Sequence, residues 1–494
     1  MLKIIQRARN FSERNSIISS GKTYSYHNLL KASSVIAGTL LGHKSDLDEA
    51  RVAFMVNPGF EYIATQWGIW KAGGIAVPLC LSHPLPALQQ TIADSGSHIV
   101  IAGSDFYDIL ETLRETLDLQ IILLDEVSGT PLLLLPDINP DRPAMILYTS
   151  GTTGKPKGVV TTHANIESQI TSLIKAWEWS KEDHILNILP LHHVHGIINV
   201  ISCALWSGAV CEFLPKFSAE TVWKRIIDGH LTLFMAVPTI YFKLINHWEN
   251  ASKIEQASMS VNCKKLRLMV SGSAALPLSI LYQWKEITGQ ILLERYGMTE
   301  IGMGLSNPYR EKRQPGFLGK PLPGVEIKLM DESGEEAEPG KPGEIYIKGK
   351  GVFLEYWNDP TATENAFKGD WFKSGDIAVM EKGNYKILGR SSIDIIKSGG
   401  YKISALEIED VLRTYPEINE CAVIGIPSEE WGEIVAACLI VGKEKLDFNE
   451  LRKWLKEKLP AYKVPKEFLI LDDLPRNSLG KITKNKLITF FNIS

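Results

Sequence analysis

Short β-branched runs alternate with helical patterns through the first part of the chain. Arg51–Val56 precedes the amphipathic Glu61–Lys71, and His98–Ala102 precedes Tyr107–Leu117. Strand–helix alternation of this kind predicts α/β layers containing parallel sheet. From about Gly316 the pattern changes, and Gly and Pro punctuate short strands such as Val325–Met330, Glu344–Lys348 and Tyr385–Leu388. That stretch predicts a smaller antiparallel, barrel-like β unit. After Gly389-Arg390 a compact α+β pattern begins, with helices expected over Ser404–Tyr415 and Asn449–Lys458 and strands over Glu420–Ile426 and Ala436–Val441. At 494 residues the chain is too long for one core, since single cores stop growing near ~250–300 residues. The expected fold is therefore α/β, with a large multi-lobed domain over 1–389 and a smaller α+β domain over 390–494.

Composition narrows the function classes. With 45% hydrophobic and 22% charged residues, the chain is an ordinary globular protein. A net charge of −4 gives no electrostatic basis for a nucleic-acid partner or for membrane attachment, so any charged ligand must be held by local groups. Cys80, Cys203, Cys211, Cys263, Cys421 and Cys438 are scattered, with neither a C-x-x-C pair nor zinc-finger spacing. Free thiols in a reducing compartment, the cytoplasm by default, are expected. The N-terminal MLKIIQRARNFSERN lacks an apolar core of signal-peptide length and is expected to open the first helix, with a short transit-like signal as the alternative. The most apolar stretch, around Ile197–Cys211, is broken by Asn199, Ser202 and Ser207 and is too short to span ~30 Å of hydrocarbon.

The sharpest local signal is Tyr148-Thr-Ser-Gly-Thr-Thr-Gly-Lys-Pro-Lys-Gly158. Gly151, Gly154 and Gly158 let the backbone turn tightly and aim N–H groups at one point, an anion-binding nest. Thr149, Ser150, Thr152 and Thr153 add hydroxyls, and Lys155 and Lys157 add charge, a donor density suited to a polyphosphate. This is not a Walker loop: Pro156 follows Lys155, and Thr149 stands where the first glycine would be. The segment also lies between strand-like Ala144–Leu147 and Val159–Thr162, not before a helix.

YTSGTTGKPKG resembles the signature loop of the adenylate-forming superfamily of acyl-CoA synthetases, luciferase-like enzymes and peptide-synthetase adenylation domains. Further motifs agree, in order: Tyr296-Gly-Met-Thr-Glu300, Trp371-Phe-Lys-Ser-Gly-Asp376, Gly389-Arg390 and Pro475-Arg-Asn-Ser-Leu-Gly-Lys481. The resemblance implies a two-step reaction. A carboxylate attacks the α-phosphate of ATP to give an acyl-adenylate and pyrophosphate; a thiol, usually coenzyme A, then displaces AMP.

It also implies roles. Thr149, Ser150, Gly151, Thr152, Thr153, Gly154, Lys155, Ser273, Tyr296, Thr299, Asp376 and Arg390 would bind ATP and AMP, with Asp376 on the ribose hydroxyls. Glu300 would hold Mg²⁺, a hard cation that suits carboxylate and phosphate oxygens. Lys481 would bridge the carboxylate and the α-phosphate during adenylation, and His193 would stand at the gate between ATP and acid. Ser398, Gly399 and Gly400 would line the path of the CoA arm. The smaller domain would rotate between the two steps about a hinge near Arg390. Here Ser391-Ser392-Ile393-Asp394 is one residue longer than the commonest spacing, leaving Ser392 and Ile393 as alternative pivots.

Acid specificity rests on Arg295. A buried unpaired guanidinium is costly, so an arginine facing the acyl pocket implies an anionic partner, whereas a salt bridge to Glu294 would remove that implication. The run Arg295-Tyr-Gly-Met-Thr-Glu-Ile-Gly-Met-Gly-Leu-Ser-Asn-Pro308 resembles the malonyl-CoA synthetase branch, as do Leu189-Pro-Leu-His-His-Val-His-Gly196 and Arg51–His83. The implied substrates are malonate, ATP and CoA, with Arg295 and His195 on the free carboxylate. A monomer or homodimer without nucleic-acid or membrane partners is expected. The alternatives are a synthetase for short- or medium-chain monocarboxylates and, more remotely, a non-enzymatic adenylate-binding protein.

Overall fold

The computed structural model describes residues 2–129, 134–149, 156–214, 216–399, 401–428, 430–442, 446–476 and 482–491. Positions 150–155, Gly400 and Lys481, all expected in the site, lie outside them, as does the Lys402 side chain.

Among the described residues the chain forms four sheets. The strands expected from the alternation enter two large ones. In the first, Arg51–Met55 lies between Ile75–Pro78 and Ile99–Ala102, all parallel, and Gln120–Leu123 extends that edge. On the other side, Pro143–Thr149 and Lys157–Thr162 form an antiparallel hairpin pairing Tyr148 with Gly158 and Thr149 with Lys157. In sequence, the glycine-rich segment runs between these two strands. Thr162 then caps helix His163–Trp177: its hydroxyl accepts the Asn165 N–H at 3.0 Å, and Asn165 Oδ1 accepts the Thr162 N–H at 2.9 Å. The second large sheet has a parallel centre, with Leu268–Ser271 between Leu233–Ala236 and Leu293–Met298. The chain then reverses into antiparallel Gly302–Ser306.

The antiparallel unit expected after Gly316 is a five-stranded sheet in which Trp371–Glu381 pairs with both Gly343–Gly349 and Asn384–Arg390. The fourth sheet lies in the C-terminal part, with Ile418–Ser428 against Gly432–Val441. Helix Ala405–Leu412 starts one residue later than expected because Ser404 is its cap, accepting the Glu407 N–H. The single helix expected over Tyr107–Leu117 is two short ones, Tyr107–Glu111 and Arg114–Leu117.

The apolar stretch near Ile197 is a wide π-helix, His195–Ser202, buried on every face, followed by the short helix Cys203–Ser207 and strand Val210–Phe213. A helix hydrophobic all round belongs to a core. Among the described residues no helix is long and apolar enough to cross a membrane. The six cysteines are all buried and unpaired.

Helices Tyr26–Leu41 and Phe60–Lys71 cross closely at Gly68, where a Cβ would sit 2.6 Å from Ile36 Cγ2, 2.8 Å from Ile36 Cβ and 3.2 Å from Ser33 O. Turning the Ile36 tip away cannot relieve contacts to its Cβ and to backbone. Alanine's helix propensity would favour Gly68→Ala by about 1 kcal/mol, but overpacking costs about 1–3 kcal/mol. Gly68→Ala is expected to lower stability by up to about 2 kcal/mol in urea unfolding; a stabilised variant would contradict this packing.

Candidate active site

Strand Leu293–Met298 and the turn after it carry three corners of the site. Successive strand residues face opposite sides, which separates Glu294 from Arg295. Glu294 Oε1 accepts the Gly316 N–H at 2.9 Å. Arg295 is 4% exposed, and among the described residues its polar partner is the Ser273 hydroxyl, which accepts from Nη2 at 3.3 Å. Its Nε–H is buried without a partner. The Glu294–Arg295 salt bridge is absent. Burial lowers the guanidinium to about 9, so it stays charged at neutral pH.

Room for that guanidinium comes from Gly272. A Cβ there would lie 2.4 Å from Arg295 Cζ, so a side chain would displace the guanidinium from this position. Ser273 follows at φ +69°, an uncommon conformation for a non-glycine residue. Its hydroxyl reaches both Arg295 and His195, whose Nδ1 is 3.2 Å away. His195 opens the π-helix and is 4% exposed, and its Nε2 is buried without a partner. Burial, then the charges of Arg295 and His193, holds the imidazole far below its usual range. The ring is therefore neutral and adds no second charge beside the arginine. The result is a water-poor corner holding one full positive charge, a hydroxyl and an imidazole, with unused polar atoms on two of them. The His193 ring lies tilted against His192 at 4.0 Å between ring centres, and His83 stands 6.2 Å from His192.

A second corner follows from Tyr296, whose hydroxyl donates to Asp376 Oδ2 at 2.7 Å. Asp376 and Arg390 face each other across their strand pair, with Arg390 Nε 3.8 Å from Asp376 Oδ1 and Nη2 donating to Ser374 O at 3.2 Å. The third corner is the turn at Thr299 and Glu300. Glu300 is 6% exposed and accepts the Tyr356 hydroxyl at 3.0 Å. Burial raises its carboxyl pKa, against the opposing pull of Tyr356 and Arg390. A cation there would offset the cost of the buried charge. Among the described residues no cluster of three or more His, Cys, Asp or Glu could hold a metal, so a metal on Glu300 would need oxygens from substrate or water. Mg²⁺ accepts such a set, usually taking one or two carboxylates with phosphate oxygens and waters. Lys157 Nζ sits 4.8 Å over the Tyr356 ring, and Thr149 Oγ1 donates to Lys157 O at 3.4 Å.

These corners bring together Arg295, His195, Ser273, Tyr296, Thr299, Glu300, Asp376 and Arg390. Ser273, expected at the nucleotide, has its hydroxyl between the two residues expected at the acid. Ser398 is buried in the C-terminal part, and Gly399 at φ +54° lies so close to Trp431 that a Cβ would meet its ring at 2.7 Å. Sequence reasoning missed Gly272 and Tyr356, which lie outside the motifs it used; both matter through partners distant in sequence.

Residues 4–357 match the AMP-binding enzyme family, and residues 407–481 match the AMP-binding enzyme C-terminal domain. The chain belongs to the AMP-binding enzyme family. Family relatives include the mitochondrial malonate–CoA ligase of Homo sapiens, 41% identical over 99% of this chain and 92% of that protein. The malonate–CoA ligase of Arabidopsis thaliana is 40% identical over 97% of this chain and 86% of its own length. Among solved structures, ATP-bound MatB from Rhodopseudomonas palustris superposes with a TM-score of 0.91, at 30% identity and 99% coverage of both chains.

Glu294 gives the site a pH signature. Burial, with Asp410 adding to it, pushes this carboxyl up to about 8, although the Gly316 N–H pulls the other way. Because the folded value exceeds the ordinary carboxylate value, the stabilising contribution is full at acid pH and is lost as pH rises through 8. Glu294→Gln keeps an oxygen for the Gly316 N–H. It is expected to match the parent near pH ~4.5 and exceed it near pH ~9 in urea unfolding; equal pH profiles would overturn the assignment.

Proposed function

We propose that the chain is a malonate–CoA ligase, converting malonate, ATP and CoA into malonyl-CoA, AMP and pyrophosphate through malonyl-adenylate. The observation that carries this reading is Arg295, a buried cation without an anion among the described residues, beside a serine and a neutral histidine. A planar guanidinium matches a carboxylate bidentately, so an acid with a second carboxylate completes the corner, whereas a monocarboxylate leaves the charge bare. The family relatives named above support the same substrate.

In this reading one malonate carboxylate rests on Arg295, Ser273 and His195, leaving the other to attack the α-phosphorus. The new O–P bond forms as the bond to pyrophosphate breaks. Asp376, oriented by Tyr296, receives the ribose hydroxyls, and Arg390 holds the same end of the nucleotide. Thr299 bonds the α-phosphate, the 150–155 segment binds the remaining phosphates, and Lys481 supplies positive charge where negative charge develops. Mg²⁺ on Glu300 would offset phosphate charge. His193 gates the acid path. In the second step the CoA sulfur, guided along Ser398, Gly399 and Gly400, attacks the acyl carbon, and AMP leaves with the electron pair of the C–O bond. Between the steps the C-terminal domain rotates about the hinge near Arg390. A cytoplasmic location and a part in fatty acid metabolism belong to the same proposal, although the animal relatives are mitochondrial by name.

An acid panel followed by CoA-dependent AMP release tests it. Malonate is expected to outperform acetate, butyrate and octanoate, with methylmalonate second; a clear preference for octanoate would defeat the dicarboxylate assignment. Arg295→Ala should lower kcat/KM for malonate by about 100-fold or more, as when one partner of a buried charge pair is removed. KM for ATP should change by less than about threefold.

A further inference from the structure

Lys484 stands three residues beyond Lys481 and opens helix Lys484–Ile488. It is one of the most buried lysines among the described residues, 9% exposed. Its ammonium lies 2.6 Å from Asp394 Oδ1 and 2.6 Å from Glu409 Oε1. Burying this charge lowers its pKa, but the two carboxylates outweigh that effect and the net shift is upward. Nothing in the adenylation chemistry above uses this triad.

Each carboxylate is also held from another side. Asp394 Oδ2 accepts the Arg390 N–H at 3.1 Å, and the Asp394 N–H donates to Arg390 O at 2.8 Å. Asp394 thus closes the tight turn that begins at Gly389. Gly389 makes the turn possible: at φ +131° a Cβ there would fall 2.3 Å from Asp394 Cβ. Glu409, on helix Ala405–Leu412, accepts the Val423 N–H at 2.9 Å and Arg413 Nη2 at 3.1 Å. The far side of the turn is tied down as well: Ser391 N–H donates to Gly375 O, and Arg390 pairs with Asp376. A chain of polar contacts therefore runs from Asp376, through Arg390 and Asp394, to Lys484, next in sequence to the segment bearing Lys481.

We propose that Lys484 is a positioning residue for adenylation. Its paired carboxylates fasten the segment carrying Lys481 to Asp394, where the chain leaves the hinge turn. On this assignment Asp394 is the first residue of the rotating body, and the turn over Ser391–Ile393 absorbs the motion. Rotation about the turn breaks the Arg390–Asp394 contacts but leaves the Lys484 pairs intact, so Asp394, Glu409 and Lys484 turn together. Without the clasp, Lys481 would arrive in a spread of positions, and misplacement of about 1 Å can cost about a hundredfold in rate. The thioester step does not use Lys481 and would be spared. This inference rests on the adenylation reading of the preceding section.

The experiment measures both half-reactions separately: malonate-dependent ATP–pyrophosphate exchange, and malonyl-CoA formation from supplied malonyl-adenylate and CoA. Wild-type protein is measured first, and failure of its exchange with malonate would defeat the adenylation reading itself. With wild type active, Lys484→Met is expected to lose at least about tenfold in exchange kcat, while KM values and the thioester step change less than about threefold. Glu409 keeps Arg413 and the Val423 N–H, and Asp394 keeps the Arg390 N–H, so neither carboxylate is stripped bare in the variant. Lys484→Arg should recover most of the loss, and Asp394→Asn should show the same split between half-reactions. If Lys484→Met does not fold, Asp394→Asn and Lys484→Arg carry the test. Equal losses in both half-reactions, or no loss in either, would overturn the positioning role.

Discussion

A positive charge kept out of water without an anion is the constraint on which the rest of the site depends. Arg295 reaches its place because Gly272 has no side chain, and it stays there with only the Ser273 hydroxyl as a polar partner among the described residues. Strand alternation turns Glu294, the nearest acid in sequence, to the opposite face, where a backbone N–H holds it. The neighbouring histidine is driven neutral by burial, so the corner carries a single charge and not two. Such an arrangement weakens the empty protein. On the malonate reading proposed above, a carboxylate arriving there would offset that cost, and a fold-level penalty would become substrate selectivity.

The same strand that carries Arg295 places Tyr296 on Asp376 and leads within one turn to Glu300. The corners expected for acid, ribose and metal therefore each take a residue from one strand and the turn that follows it. The C-terminal part is joined differently. Its link is a short turn from Gly389 to Asp394, closed by hydrogen bonds that a rotation can break and re-form. The Lys484–Asp394–Glu409 triad sits at the end of that turn, where the rotating body proposed above would need to be stiff.

Much of this was legible in the sequence, for identifiable reasons. Arg51–Met55, Val325–Met330 and the helix over residues 60–71 declare themselves by periodicity. Tyr296, Glu300, Asp376 and Arg390, expected at the nucleotide and the metal, stand in motifs whose spacing survives as local geometry. The helix over Tyr107–Leu117 was overextended because an apolar spacing says nothing of the break at Thr112 and Leu113. Gly272, Tyr356 and Lys484 went unread for a different reason. Each matters through a partner far away in the chain: Arg295 for Gly272, Glu300 for Tyr356, and Asp394 for Lys484. Local pattern carries no record of such encounters. Ser273 shows the intermediate case, a residue singled out by the family resemblance whose partners became visible only in three dimensions.

The most direct test of the central claim is a crystal structure with malonyl-adenylate bound. The account predicts the free malonyl carboxylate within about 3 Å of the Arg295 guanidinium, with the Ser273 hydroxyl in the same contact. A carboxylate facing solvent or another cation, with Arg295 still unpartnered, would contradict it.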